Sequence, residues 1–549
     1  MRNQVKDNFS FFLLVVILFS FTGYATAQKK SKLIVGIVID QMCYDYLYRY
    51  QQHFKKNGFN TFLKKGVNCR NVNYNYVPTF TGPGHASIYT GTSPNNHGII
   101  GNAWFDRQTE TTVNCVEDLS VIGIGTTSSA CKASPKNLLT YTITDQLKLS
   151  YPNAKVISIS IKNRSAILPG GHLSDGSYWF DNVNGTFTTS SYYKNQLPDW
   201  LLEFNKTKNA NTYLKDWDLL YPIEKYMAGK NDASKYEGLI NGKTSPTFPY
   251  NLTALPSTDF SNFTISPFAN TLLTDLAITA IENEKLGIDS QTDMLCVSYS
   301  TPDIAGHVFG PYSLEMEDMY ARLDREIAKL MDELNNRFGK DNFTVFLTAD
   351  HAVVPIPQML VDMKLPGGYL NMATKKEVLK NSLNTQFGKA LTIKEINQNI
   401  YLNRQEIDSL KLDFNTICQF IVKEIRDWPE VKAVYTAQEF LNNEGNNDKW
   451  REMVRLGFDA KRSGDVLFIL QPGYLPIHDE SERMGTSHGS AFNYDTHVPL
   501  MWYGGGLHPK DIFRPLEIVD ISATLTHLLF LQRSGAMTGE PIIEVLDNK

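Results

Sequence analysis

Short runs of apolar, mostly β-branched residues alternate along the chain with helical patterns. The runs at 33–39, 155–161, 294–299, 344–348, 466–470 and 499–503 predict buried strands. Apolar stripes at 314–338, after Ser313 and before Gly339, and at 518–529 predict two core helices. This alternation is typical of an α/β fold in which a mostly parallel sheet is sandwiched by helices.

Two stretches interrupt this alternation and predict inserted cap regions. Residues 170–290 are rich in Asn, Tyr, Trp, Ser and Thr with weak periodicity, which favours long loops. Residues 365–460 predict a small α+β unit, with helices at 374–387 and 414–426 and strands at 400–402 and 431–435. We expect residues 28–549 to form one catalytic domain that carries both insertions.

The first 27 residues have the composition of an export signal. Arg2 and Lys6 precede a short apolar run, and Ala25 to Ala27 supply the small residues of a cleavage site. The apolar run is shorter than a spanning helix needs. We therefore expect an exported protein, periplasmic or secreted, without a stable membrane anchor after cleavage.

Composition narrows the class of protein. The chain has 549 residues, 42% of them hydrophobic, which is enough to bury a large core. Its net charge of −5 does not favour nucleic-acid binding as such. In an exported chain disulfides can form, and Cys115 and Cys131, which flank a Gly- and Ser-rich loop, are the best-placed pair of the six cysteines.

Acidic residues and histidines follow several of the predicted strands. They are Asp40, Asp303, His307, Asp350, His351 and His488, with Asp303 and His307 in a Gly-containing segment predicted as a loop. Open α/β sheets build their sites at the carboxyl ends of strands. Carboxylate and imidazole suit Zn²⁺, and six donors allow two metal ions with open positions.

The segment 77–85, VPTFTGPGH, precedes a predicted helix near 86–89. A threonine at such a position is usually an N-cap, but the same geometry aims backbone N–H groups at an anion. A hydroxyl becomes a good nucleophile once a metal or a base deprotonates it. Thr79 and Thr81 are both candidates from position alone, and we favour Thr81 because it directly precedes Gly-Pro-Gly.

Together these motifs resemble the metal-dependent alkaline phosphatase superfamily. The matching features are Thr81 in PTFTGPGH, Asn102 in HGIIGNAW, Asp303 and His307 four residues apart, the Asp350-His351 pair, and His488. Lys162 and Arg164 in SIKNRSAILPGGH make the chain most similar to the phosphate-irrepressible, threonine-nucleophile bacterial alkaline phosphatases. The resemblance covers nearly the whole mature chain.

The resemblance implies a two-zinc phosphatase with a phosphothreonine intermediate. One zinc would be held by Asp303, His307 and His488, and the other by Asp40, Asp350 and His351 with Thr81 as an additional ligand. Thr81 would attack phosphorus, and Asn102, Lys162 and Arg164 would hold the non-bridging oxygens.

The Lys162 and Arg164 pair favours phosphate monoesters as substrates, because a monoester carries one more negative charge than a diester. Two alternatives remain open: a phosphodiesterase or nucleotide pyrophosphatase of the same superfamily, and a catalytically inactive zinc-binding protein. The expected partners are small-molecule phosphate monoesters, and the assignment is compatible with a monomer.

Overall fold

The computed structural model describes residues 30–228, 232–240, 242–254, 259–445 and 448–547. An 11-stranded sheet forms its centre. In spatial order the strands are Lys510–Ile512, Val67–Asn73, His497–Gly504, Phe343–Thr348, Leu33–Ile39, Asp293–Tyr299, Val156–Ser160, Gly176–Asp181, Thr186–Ser190 and Gly123–Ile124, and Leu516–Glu517 also pairs with Val67–Asn73.

The middle of this sheet is parallel. Every neighbouring pair from Phe343–Thr348 to Gly176–Asp181 runs in the same direction. Leu33–Ile39 is buried along its whole length, as expected for a parallel strand covered on both faces. The predicted strand at 499–503 is the central part of His497–Gly504, which runs antiparallel to both neighbours. The predicted α/β class with a mostly parallel sheet is confirmed.

Helices of eight or more residues occur throughout the described chain. They are Thr81–Thr90, Ile143–Ser150, Asn163–Gly170, Asp199–Thr207, Phe268–Asn283, Thr301–Phe309, Leu314–Phe338, Met372–Phe387, Phe414–Arg426, Lys449–Gly457 and Asp520–Leu528. The predicted helix at 314–338 is confirmed, and the Ser313 side chain accepts a hydrogen bond from the Met316 amide at its start. The predicted helix at 518–529 is confirmed as Asp520–Leu528.

A second, antiparallel sheet has its own apolar core. It contains Thr392–Ile396, Asn399–Leu402, Val466–Leu470 and Val431–Thr436, packed against Phe414–Arg426. The assignment of 466–470 to the main sheet is wrong, since this strand pairs only with members of the second sheet among the described residues. Short two-stranded ladders join Gly368–Asn371 to Tyr474–Ile477, and Ala103–Asp106 to Thr111–Asn114.

The expectation of long loops at 170–290 is wrong for parts of that range. Gly176–Asp181 and Thr186–Ser190 extend the main sheet, and Phe268–Asn283 is a helix with a mostly buried surface. The strand Val67–Asn73 was also missed. Its sequence VNCRNVN mixes polar residues into the apolar pattern, because the strand lies near the edge of the sheet and is only partly buried.

The expected pair of Cys115 and Cys131 is not a disulfide: all six cysteines are buried free thiols. The two thiols face different neighbours. Cys115 Sγ lies against Gly82 of the helix Thr81–Thr90, whereas the Cβ of Cys131 packs near Gly123.

The segment 1–27, predicted as an export signal, lies outside the described residues. Within the described ranges, no helix is both long enough and apolar enough to cross a bilayer.

Candidate metal centre

Three of the predicted ligands meet where two neighbouring parallel strands end. Asp40 directly follows Leu33–Ile39, and Asp350 and His351 come shortly after Phe343–Thr348. The Nε2 atom of His351 lies 3.4 Å from Asp40 Oδ1 and 3.6 Å from Asp350 Oδ2. All three side chains are buried, and together they form one group of potential metal ligands.

The other three predicted ligands form a second group beside the first. Asp303 Oδ1 lies 3.3 Å from His307 Nε2 and 3.5 Å from His488 Nε2. The predicted loop around Asp303 and His307 is wrong, because both residues lie on the helix Thr301–Phe309. Four residues apart on a helix, they share one face. His488 comes from the loop between Tyr474–Ile477 and the strand His497–Gly504.

Each imidazole is oriented by a backbone carbonyl. The Nδ1 atoms of His307, His351 and His488 lie 2.9, 3.0 and 2.7 Å from the carbonyl oxygens of Thr486, Ala352 and Thr79, respectively. When Nδ1 carries the proton and donates to a carbonyl, the Nε2 lone pair points into the cluster. That is the arrangement of metal-binding histidines.

The carboxylates repel one another and need a cation. Burial raises the pKa of Asp40 well above its usual range, and the Asp303 and Asp350 charges add to this. Asp40 Oδ1 and Asp350 Oδ2 are buried with no hydrogen-bond partner among the described residues. Burial also raises the pKa of Asp303, but the His307 and Lys162 charges outweigh it and the net shift is downward. Buried carboxylates with free oxygens next to imidazoles fit divalent metal ions, which imidazole binds in its neutral form.

Thr81 presents its hydroxyl to this cluster. Its Oγ1 lies 3.4 Å from His351 Nε2, whereas the Thr79 hydroxyl donates to the Ser490 carbonyl at 3.0 Å and is already engaged. Thr81 is the first residue of the helix Thr81–Thr90, with Phe80 as the N-cap, so this helix begins earlier than predicted. The helix can lie close to Asp350 because position 84 is glycine: a Cβ there would lie 2.2 Å from the Asp350 carbonyl oxygen.

Two of the three predicted substrate-binding residues contact the Thr81 helix or the ligand groups. Asn102 Oδ1 accepts a hydrogen bond from the Gly82 amide at 2.7 Å. The Lys162 ammonium contacts Asp40 Oδ2 at 2.7 Å and also contacts Asp303 Oδ2, so it bridges the two ligand groups. Lys162 is the N-cap of Asn163–Gly170, and Arg164 lies in the first turn with its Nε atom buried and unpartnered among the described residues.

Two supporting residues were not predicted from the sequence. The Gln41 side chain donates from Nε2 to Asp303 Oδ1 at 2.7 Å, and the Gln41 backbone N–H donates to Asp350 Oδ1. His85 Nδ1 lies 2.9 Å from the Thr81 carbonyl and 3.2 Å from Asp350 Oδ2. Gln41 directly follows Asp40, and His85 is the last residue of the segment 77–85. This proximity to predicted site residues was the only signal for them in the sequence.

The chain belongs to the type I phosphodiesterase / nucleotide pyrophosphatase family, whose model matches residues 34–491. It is 37% identical to alkaline phosphatase PafA of Elizabethkingia meningoseptica, over 97% of this chain and 98% of that protein. It is also 37% identical to alkaline phosphatase PhoV of Synechococcus elongatus, over 97% and 99% of the two chains. The crystal structure of PafA superposes with a TM-score of 0.90 at 36% identity, covering 95% of this chain and 100% of that one. The resemblance found in the sequence is confirmed.

Proposed function

We propose that the chain is an exported, two-zinc alkaline phosphatase that hydrolyses phosphate monoesters through a phosphothreonine intermediate. The relatives of 37% identity that are named alkaline phosphatases support the monoesterase activity. One observation supports the mechanism most strongly. The Thr81 hydroxyl faces a double cluster of carboxylates and imidazoles, and Lys162 lies between the two groups.

The two ligand groups would each hold one zinc ion. Asp303, His307 and His488 form the first site, and Asp40, Asp350 and His351, with the Thr81 hydroxyl, form the second. When bound, two such ions neutralise charge on the phosphoryl oxygens and favour ionisation of the attacking and leaving oxygens.

The chain's own nucleophile is Thr81. Its hydroxyl loses a proton to solvent and Oγ1 forms a bond to phosphorus. The ester P–O bond breaks, and the leaving alkoxide takes a proton from solvent and departs as the alcohol. Water then attacks phosphorus, phosphate leaves, and Thr81 regains its proton. Gln41 and His85 hold Asp303 and Asp350 in position during both steps through the contacts described above.

Lys162, Arg164 and Asn102 would bind the non-bridging phosphoryl oxygens. The Lys162 ammonium contacts a carboxylate of each ligand group, so it would lie beside a phosphoryl group bound between them, and the unpartnered Arg164 Nε offers a further donor. Two cations match the two negative charges of a monoester, whereas a diester has only one. This difference favours the monoesterase over the diesterase of the same family.

One experiment separates the three candidate functions. Purified protein would be assayed with an aryl phosphate monoester and the matching diester, and its metal content would be measured on the same sample. We expect two zinc ions per chain and much faster turnover of the monoester. Faster turnover of the diester would indicate a phosphodiesterase. Bound zinc without turnover of either ester would indicate an inactive zinc-binding protein.

The zinc count has its own matched variants. His307→Ala removes a ligand of the first group only, so we expect one ion per chain to remain. His508→Ala removes an exposed histidine that belongs to neither group and should leave two. Unchanged zinc in His307→Ala would contradict the assignment of the first group.

Export and domain organisation are also part of the proposal. The residues before position 28 would be removed as a signal, which N-terminal sequencing of the mature protein would test. Residues 28–549 would act as one catalytic domain, monomeric and without nucleic-acid partners. The insertion at 365–460, and the part of 170–290 outside the main-sheet strands and the helix Phe268–Asn283, would form its cap regions.

A further inference from the structure

A cavity of about 360 Å³ adjoins the metal centre. One side is formed by Phe80, which precedes the nucleophile, and by His488 of the first ligand group. The opposite side is formed by the second sheet, including Gln398 in its first hairpin, and by Tyr474 of the ladder strand Tyr474–Ile477. Its volume lies within the range of small-molecule sites, about 300–1,000 Å³. The cavity therefore joins the reacting centre to the α+β unit.

The tip of a hairpin from the second sheet reaches this cavity. Asn397 and Gln398 connect Thr392–Ile396 to Asn399–Leu402 and have φ values of +54° and +56°. Two left-handed residues define a type I′ turn, in which glycine is strongly preferred at the second position. Gln398 occupies that position, so the chain keeps a long polar side chain where glycine would be less strained.

The hairpin tip is held in place at both of its residues. Asn397 Nδ2 donates to the carbonyl of Ala103, the residue after Asn102, at 2.9 Å. The Gln398 carbonyl accepts a hydrogen bond from the Phe468 amide at 3.1 Å. The Gln398 carboxamide, by contrast, makes no hydrogen bond within the described part of the chain, although its backbone is fixed. The Gln398 carboxamide is therefore available to a group that enters the cavity.

We propose that this cavity binds the leaving group of the monoester and that the Gln398 carboxamide contacts its edge. The inference rests on the proposed function. In an in-line displacement the leaving oxygen lies opposite the nucleophile. Thr81 lies beside the second ligand group, so the leaving group faces the first, and His488 of that group is a wall of the cavity.

The lining defines the class of leaving group. Phe80, Phe468, Leu475 and Pro476 give it apolar walls, and Glu395 is ion-paired with Lys376 at 3.2 Å. Among the described residues, no lysine or arginine lines the cavity. A carboxamide offers both a donor and an acceptor. The cavity thus suits an uncharged, planar ring with hydrogen-bonding groups at its edge.

The test compares a monoester whose alcohol reaches the cavity with one whose alcohol is too small. Para-nitrophenyl phosphate has a planar ring with acceptor oxygens, and methyl phosphate has no ring. Gln398→Gly removes the carboxamide at a position where glycine is favoured, so the variant should fold. We expect kcat/KM for the ring monoester to fall about three- to tenfold, mainly through KM, as for a lost neutral hydrogen bond. Methyl phosphate turnover should stay unchanged.

Two further variants control for the turn itself. Gln398→Asn keeps a carboxamide on a shorter arm and should retain more of the ring preference than Gln398→Gly. Glu110→Gly replaces another left-handed residue, φ +54°, in the connection between Ala103–Asp106 and Thr111–Asn114. It should leave kcat/KM unchanged for both substrates.

The outcomes distinguish the two proposals. If the wild type hydrolyses neither ester, the proposed function is wrong, and the leaving-group assignment is overturned with it. If the wild type hydrolyses methyl phosphate but Gln398→Gly affects both esters equally, or neither, the cavity assignment alone is overturned. A selective loss with the ring monoester supports it.

Discussion

The imidazole of His488 and the backbone of Thr79 are joined by a hydrogen bond of 2.7 Å from Nδ1 to the carbonyl oxygen. This contact ties a ligand from the first group to the segment that carries Thr81. The position of the proposed nucleophile and the orientation of a proposed ligand are therefore coupled, because Thr79 lies only two residues before Thr81. Thr79 supports the site through its carbonyl, while its hydroxyl is engaged by Ser490.

Replacing the two threonines separately should identify the nucleophile. Thr81→Ala removes the hydroxyl that faces His351, so we expect no trapped phosphoenzyme and a loss in kcat of at least about a thousandfold. Thr79→Ala keeps the carbonyl that orients His488, so the phosphoenzyme should remain. Acid-quenched samples analysed by mass spectrometry provide the measurement. A phosphoenzyme lost in Thr79→Ala but kept in Thr81→Ala would move the nucleophile to Thr79.

Lys162 and Arg164 should set the preference for monoesters. Removing either charged contact to a phosphoryl oxygen should cost about 2–4 kcal/mol, or roughly 30- to 1,000-fold in kcat/KM for a monoester. Diester turnover should change much less in Lys162→Ala and Arg164→Ala. Asn163→Ala, at the intervening position, tests for a general disturbance of the helix start and should affect neither ester strongly.

Metal content must be measured on the same variants, because Lys162 also contacts Asp40 and Asp303. If zinc is retained and both esters slow by the same factor, Lys162 and Arg164 do not select monoesters. Their role would then be to support the cluster as a whole.

Gly84→Ala should displace a ligand without changing any polar group. Alanine normally stabilises a helix relative to glycine by about 1 kcal/mol, but here its Cβ would lie 2.2 Å from the Asp350 carbonyl oxygen. The clash should dominate, and we expect weaker metal binding by the second group and about 10- to 100-fold lower activity. Gly535→Ala, which has no neighbouring atom within 4 Å of the new Cβ, is the matched control. Full zinc occupancy and activity in Gly84→Ala would disprove the close approach.

Two glutamates on one helix should give opposite pH effects on stability. Burial raises the pKa of Glu315 to about 8, although Tyr250 donates a hydrogen bond to it. Its contribution to stability is therefore largest below its ordinary pKa of 4.5 and is lost as pH rises through about 8. Burial alone would raise the pKa of Glu317. The hydrogen bonds with His53 and with two backbone amides together outweigh burial, so the pKa is lowered. Its contribution is present above pH 4.5 and lost below.

The matched variants are Glu315→Gln and Glu317→Gln, with unfolding midpoints measured on metal-loaded protein across this pH range. The stability of Glu315→Gln relative to the wild type should increase as pH rises toward 8. Glu317→Gln should be less stable than the wild type above pH 4.5, and this difference should disappear at lower pH. The same pH dependence in both variants would show that the two carboxyl groups do not differ in this way.

The grouping of the proposed ligands could be predicted because several of them follow apolar runs that are easily recognised as buried strands. Asp40 and Asp350 come after strands that are neighbours in the sheet, so the chain order of motifs carried spatial information. The helix at Asp303 and His307 was mistaken for a loop because Gly306 interrupts its pattern. The structure explains that glycine, since a Cβ there would lie 1.9 Å from Gln41 Oε1.

The supporting contacts could not be predicted in the same way. Gln41 reaches Asp303 across 262 positions of sequence, and Lys162 reaches Asp40 across 122. Such contacts depend on the relative placement of side chains after the sheet has formed, which no local pattern specifies. The assignment of 466–470 failed for a related reason: an apolar strand carries no label for the sheet it joins.

The proposed ligands come from nearly opposite ends of the chain, with Asp40 after the first strand of the described sequence and His488 close to the last long one. The first ligand group cannot form until the C-terminal part of the chain has closed onto the middle of the sheet, because His488 must meet Asp303 and His307 there. Metal loading of that group would then act as a late cross-link of the fold, and by mass action an ion bound there would stabilise only chains in which this closure has taken place. Zinc occupancy would therefore also report how many molecules in a preparation have finished folding.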